Sequence, residues 1–113
     1  MELTIDMIRT CKLAALSCRD CVSQLSLVNP LPYEHQQKFQ QCEDICFAFL
    51  QAASIGSLYL QDLIFLCTGL CEECAELAEE KSEEVYKEAS VHCRDFSSML
   101  INLIQLENSR LTI

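Results

Sequence analysis

The chain has 113 residues, 8 of them basic and 17 acidic, for a formal net charge of −9, and half of its residues are hydrophobic. That length and apolar content fit one domain, expected over residues 1–113, and exclude a disordered chain. Two Gly and two Pro provide too few turns for an all-β domain, and the acidic balance argues against a nucleic-acid partner, whose phosphates want a clustered basic face.

In the first segment Met7, Cys11, Ala14, Cys18, Cys21, Leu25 and Val28 recur at alternating spacings of four and three, the inward stripe of a bundle helix. Pro30 and Pro32 stop it, so this helix is expected over roughly 3–27. The second helix starts after Pro32, carries Phe39, Cys42, Cys46, Phe49, Leu50 and Ala53 on one face and runs to about Ala53. Gly56 offers its stop and Ser57 the next N-cap.

The third helix carries Leu60, Ile64, Cys67, Cys71, Cys74 and Ala78 on one face. Its first half also holds Leu58, Leu63, Phe65 and Leu66, apolar enough to be buried on most sides or to form a subunit contact. Gly69, between Cys67 and Cys71, offers room for a close helix approach. A break is expected at Lys81-Ser82, with Ser82 as N-cap and Glu83 and Glu84 in a first turn that suits acidic side chains. The fourth helix carries Val85, Ala89, His92, Cys93, Phe96, Met99, Leu100, Leu103 and Leu106, and is expected to fray after Glu107. Short connections set consecutive helices antiparallel, which predicts an all-α, up-down-up-down antiparallel four-helix bundle. No uninterrupted apolar run approaches the ~18 residues of a membrane span, so no membrane partner is expected.

The nine cysteines are about 8% of the chain, near the level that marks a disulfide scaffold in a short secreted protein. Their odd count argues otherwise. So does the start of the sequence, Met1-Glu2-Leu3-Thr4-Ile5-Asp6, which has neither a basic n-region nor an apolar h-region. No signal peptide is expected, and the cysteines are expected as reduced thiols or thiolates in the cytoplasm.

All nine cysteines fall on inward stripes, and every helix has at least one: Cys11, Cys18 and Cys21; Cys42 and Cys46; Cys67, Cys71 and Cys74; Cys93. Pairing antiparallel helices about their loops brings Cys18, Cys42, Cys71 and Cys93 to one level. Cys21 and Cys74 then lie about a turn nearer the end bearing the first and third loops, and Cys11, Cys46 and Cys67 lie deeper. The pairs Cys18/Cys21 and Cys71/Cys74, three apart, and Cys42/Cys46 and Cys67/Cys71, four apart, each set two thiols on one helical face, within reach of one soft metal ion.

Thiolates select Cu(I), Zn(II) or iron–sulfur clusters. Cu(I) needs only two or three sulfurs per ion, and a long tube of thiols suits several such ions. Structural zinc normally takes four ligands on tight turns, and iron–sulfur ligation uses loops and a Cys-Pro stop that this sequence lacks. Two other readings stand beside metal binding. Reduced cysteines can pack as small hydrophobes in a structural or protein-interaction bundle. A Cys-x-x-Cys pair can be a dithiol redox site, although here both pairs sit within helices and lack a βαβ setting.

His92, next to Cys93, can join the level of Cys71 and Cys93 as a metal ligand or pack as a half-buried residue on the helix flank. His35 reads as a surface residue near the first loop, and Met7 and Met99 as core rather than ligands. The acidic run Glu72, Glu73, Glu76, Glu79, Glu80, Glu83, Glu84 and Glu88 reads as a solvated face. No Ser/His/Asp set, glycine-rich phosphate loop or catalytic carboxylate pair is present, so no enzyme activity is expected.

The order Cys11-x6-Cys18-x2-Cys21, Cys42-x3-Cys46, Cys67-x3-Cys71-x2-Cys74 and His92-Cys93 resembles the bacterial family of cysteine-rich four-helix-bundle copper-binding proteins, which includes the cytosolic copper storage proteins. The resemblance spans roughly residues 8–100. It implies Cu(I) held by thiolates inside the bundle, and often homo-oligomers. Members of that family often carry one further helix-4 cysteine a turn beyond the His-Cys pair, where this chain has Phe96 and Ser97, and storage members are richer in cysteine.

Overall fold

Thr4 and Gly56 show how the chain starts and stops its helices. The Thr4 hydroxyl accepts the Met7 backbone N–H at 3.1 Å, satisfying a donor that the first turn would otherwise leave free. Gly56, at φ 66° and ψ 42°, ends the second helix in the left-handed region, where a residue without Cβ meets no penalty. Its N–H turns back to the Ala53 carbonyl and that of Ser57 to Ala52, a paired closure of the last turn.

The structure, a computed structural model, describes residues 3–25 and 31–111. It contains α1 (Ile5–Leu25), α2 (Tyr33–Ile55), α3 (Leu60–Glu79) and α4 (Glu84–Leu111). Val28, Pro30 and the expected end of the first helix lie outside the described residues. Several expected boundaries move. Ser57 does not cap α3; it accepts the Tyr59 N–H at 3.1 Å within a turn that precedes the helix. Nor does α4 start from Ser82, because the Glu83 carbonyl accepts the N–H groups of Tyr86 and Lys87 and so opens the helix. At its other end α4 continues past Glu107 to Leu111.

α1 packs on α2 and α4, and α3 packs on α2 and α4, so α1 faces α3 and α2 faces α4 across the diagonals. This is the four-helix bundle expected from the short connections, 52 Å long and 24 Å across. The inward stripes meet in a core of Met7, Ala14, Phe39, Phe49, Ile64, Ala78, Tyr86, Phe96 and Leu100 around the nine cysteines. Every cysteine is fully buried.

Two expectations about α3 are corrected. Gly69 has nothing within 4 Å of where a Cβ would stand, so it allows no close approach and faces solvent. The apolar first half is not buried on most sides: Leu58 is 97% exposed, and Phe65 and Leu66 are each about half exposed. Only Ile64 and Cys67 of that stretch enter the core, because a helix with two packing neighbours buries little more than one stripe.

Candidate metal centre

The center of the thiol column is a layer to which all four helices contribute. The Cys18 and Cys93 Sγ atoms lie 3.7 Å apart on α1 and α4, and those of Cys42 and Cys71 lie 3.7 Å apart on α2 and α3. Cys18 and Cys42 close the layer, since their sulfurs and that of Cys74 all lie within 4.8 Å of one another. A second triad, Cys42, Cys46 and Cys71, meets the same limit. Cys42 therefore belongs to both. Sulfurs at about 2.3 Å from one soft ion are themselves some 4 Å apart, so either triad can close on an ion with little movement.

Four of the thiols are tied to backbone. Cys11 donates to the Cys46 carbonyl at 3.3 Å, Cys67 to Ile45 at 3.4 Å, Cys74 to Lys38 at 3.4 Å and Cys21 to Val85 at 3.7 Å. Helix carbonyls have a second lone pair, so these bonds satisfy buried thiols without opening a helix. Cys11 and Cys67 meet α2 a turn beyond Cys42, the deeper level expected from the loop pairing. Cys74, expected a turn away from the layer, instead joins Cys18 and Cys42 in it. Its side chain leans back along α3 toward the preceding turn, as helical side chains do.

Proton affinities follow these contacts. Hydrogen bonds from Cys18 and then from Cys46, Cys71 and Cys74 hold the Cys42 thiol far below its ordinary value. Cys46 is lowered to about 6, chiefly by Cys11. The donors move the other way: Cys18 and Cys71 are raised mainly by their bonds to Cys42, and Cys11 and Cys67 mainly by theirs to Cys46. At Cys74 the bond with Cys18 lowers the thiol, but the bond with Cys42 and burial together outweigh it and raise it. Cys21 is pushed up to about 12 by burial, with the Cys93 and Asp20 charges adding. Cys42 and Cys46, the acceptors at the center, thus carry negative charge most readily, and a cation there replaces the protons that their neighbours share.

Polar clamps on the outer surface hold this layer in register. Arg19, next to Cys18, donates to Glu43, next to Cys42, and Gln40 donates to the same carboxylate at 3.0 Å. Glu43 is only 4% exposed. Lys38 pairs with Glu73 at 3.3 Å, and Ser97 donates to Glu72 at 3.2 Å. Arg94 grips Glu79 with two bonds of 2.8 and 3.1 Å. The acidic run on α3 is therefore more than a solvated face, since three of its members tie α3 to α2 and α4. Glu43 escapes sequence reading because it lies beside the apolar stripe and only its i,i−3 neighbour Gln40 hints at a polar partner.

His92 is half-buried beside Cys93 and lies outside both triads. Ser97 is buried, and its hydroxyl bonds a carboxylate rather than a thiol. All nine cysteines are free.

The class that this fold and core define is a helical bundle lined by reduced thiols from every helix. Residues 2–103 match the profile of Csp, copper storage protein, and the chain belongs to that family. No curated protein and no solved structure matches it.

Proposed function

We propose that this protein binds and sequesters Cu(I) through the thiolates of its core, in the cytoplasm and without catalysis. The observation that carries the reading is the pair of buried sulfur triads sharing Cys42. Three sulfurs suit trigonal Cu(I), whereas a structural zinc site takes four ligands. Cu(I) is cargo here: it exchanges for protons held among Cys18, Cys42, Cys46, Cys71, Cys74 and Cys93, and the outer thiols Cys11, Cys21 and Cys67 extend the column for further ions. His92 is the one nitrogen ligand close to it in sequence. Nine free thiols fit a reducing compartment.

Homo-oligomers belong to the same reading, with Leu58, Phe65 and Leu66 as exposed apolar surface for contact between copies. Among the described residues no helix is long and apolar enough to cross a membrane.

Anaerobic titration with Cu(I) against a colorimetric chelator tests the proposal. Several ions per chain, held more tightly than Zn(II), are expected. A protein that takes up no Cu(I) is a structural bundle with idle cysteines, and one with a reversible dithiol couple and no copper is a redox protein.

A further inference from the structure

All nine thiols are fully buried, so an ion reaches them only when part of the bundle moves. Two aromatic pairs close the column. The inward stripe of α2 reads Phe39, Cys42, Cys46, Phe49, and that of α4 reads Tyr86, Ala89, Cys93, Phe96. Because α2 and α4 are diagonal, the rings meet across the bundle axis. Phe39 and Tyr86 have centroids 6.2 Å apart, and Phe49 and Phe96 meet edge to face at 5.6 Å.

The two closures differ in what supports them. Beyond Phe49 and Phe96 the core continues through Ile64, Leu100 and Met7. Phe96 also sits far inside α4, thirteen residues into a helix that begins at Glu84. At the Phe39 and Tyr86 end, toward the first and third connections, the buried side chains among the described residues are Leu31 and the small Ala78. Tyr86 lies in the first turn of α4, held by its N–H to the Glu83 carbonyl at 3.1 Å. Terminal turns open at much lower free energy than helix interiors. That same turn carries the Val85 carbonyl to which Cys21 donates, so opening it removes the ring and releases the thiol together.

We propose that the first turn of α4, which carries Tyr86 over Phe39, is the gate through which Cu(I) enters and leaves the thiol column, with Cys21 the first thiol uncovered. The proposal rests on the Cu(I) reading above. The gate acts on rate and not on capacity, because neither ring is a ligand.

The test uses two readouts on the full chain. One is the rate of Cu(I) uptake from its bicinchoninate complex, and the other is the order in which N-ethylmaleimide alkylates the cysteines of the apoprotein. Tyr86→Ala should accelerate uptake about tenfold at unchanged stoichiometry, while Phe96→Ala should not. Glu83→Asp gives the turn an N-cap side chain in a fold that is otherwise untouched, and should slow uptake and Cys21 alkylation by roughly fivefold. Cys21 should be alkylated before Cys11 and Cys67 in the parent. Rates unmoved by Glu83→Asp, faster uptake in Phe96→Ala than in Tyr86→Ala, or Cys11 reacting first would overturn the gate. A parent that binds no Cu(I) yet alkylates at Cys21 first, more slowly with Glu83→Asp, would instead overturn the copper reading and leave this turn as the route to the thiols.

Discussion

The sulfurs of Cys42 and Cys71 lie 3.7 Å apart across the α2/α3 seam, and Cys42 is the thiol common to both triads that can close on one ion. Removing it breaks two potential ion sites at once, whereas removing Cys11 breaks neither. Cys42→Ala should therefore weaken Cu(I) retention about tenfold or more against a competing chelator, with Cys11→Ala affected far less. Equal losses in the two variants would mean that Cys42 has no central role.

Cys18, Cys21, Cys71 and Cys74 belong to the two diagonal helices α1 and α3, and three of them take part in the triads. Replacing all four with Ala should leave a helical apoprotein by circular dichroism but remove most Cu(I) uptake. Uptake equal to the parent in amount and affinity would place the site among Cys11, Cys42, Cys46, Cys67 and Cys93 or nowhere in the core.

Arg19 and Glu43 tie α1 to α2 beside the central layer. Glu43 is buried and Arg19 half-exposed, so the two halves of the pair are not equivalent. Arg19→Ala strands a buried carboxylate with Gln40 as its remaining partner, and should lower unfolding stability by about 2 kcal/mol. Glu43→Gln keeps an acceptor for Arg19 and should lower it by less than half as much. Chemical denaturation of the apoproteins measures both, and a larger loss in Glu43→Gln would contradict the burial argument.

The apoprotein should lose stability at high pH. Unfolded thiols ionise near 9.0, whereas burial raises Cys21 to about 12, and Cys11, Cys18, Cys67, Cys71 and Cys74 are raised as well. The stability carried by these protonated thiols is complete below 9.0 and is lost as pH rises toward the folded values, because only the unfolded chain releases its protons in that window. Thermal midpoints should fall between pH 9 and 12 and be restored in part by bound Cu(I), which needs no proton on its ligands. A flat profile over that range would show that the thiols are not desolvated.

The residues that carry the fold were legible because they obey one period. Met7, Cys11, Ala14, Cys18 and Cys21 repeat at three and four, which fixes direction toward the axis, and Gly56 is a helix stop that only backbone geometry needs. Depth along the axis was legible to within a turn. Cys18, Cys42, Cys71 and Cys93 meet as the loop pairing predicts, but Cys74 joins them because side-chain lean is invisible in residue spacing. The outer clamps were not legible at all. Glu72, Glu73 and Glu79 look alike in sequence, and their partners Ser97, Lys38 and Arg94 come from neighbouring helices whose rotation about their own axes the spacing leaves open. Of the two readings of the apolar first half of α3, exposed Phe65 and Leu66 remove burial within the bundle, since apolar content says how much surface could be buried and not how many neighbours exist to bury it.

Whether core thiolates hold the metal is read from copper K-edge X-ray absorption of the Cu(I)-loaded protein, which reports the atoms bound to the ion. Two to three sulfurs per copper are expected near the ~2.3 Å of metal–thiolate bonds, with copper neighbours from adjacent ions in the column. A first shell dominated by nitrogen or oxygen would contradict thiolate binding, since the nine buried thiols would then not be what holds the metal.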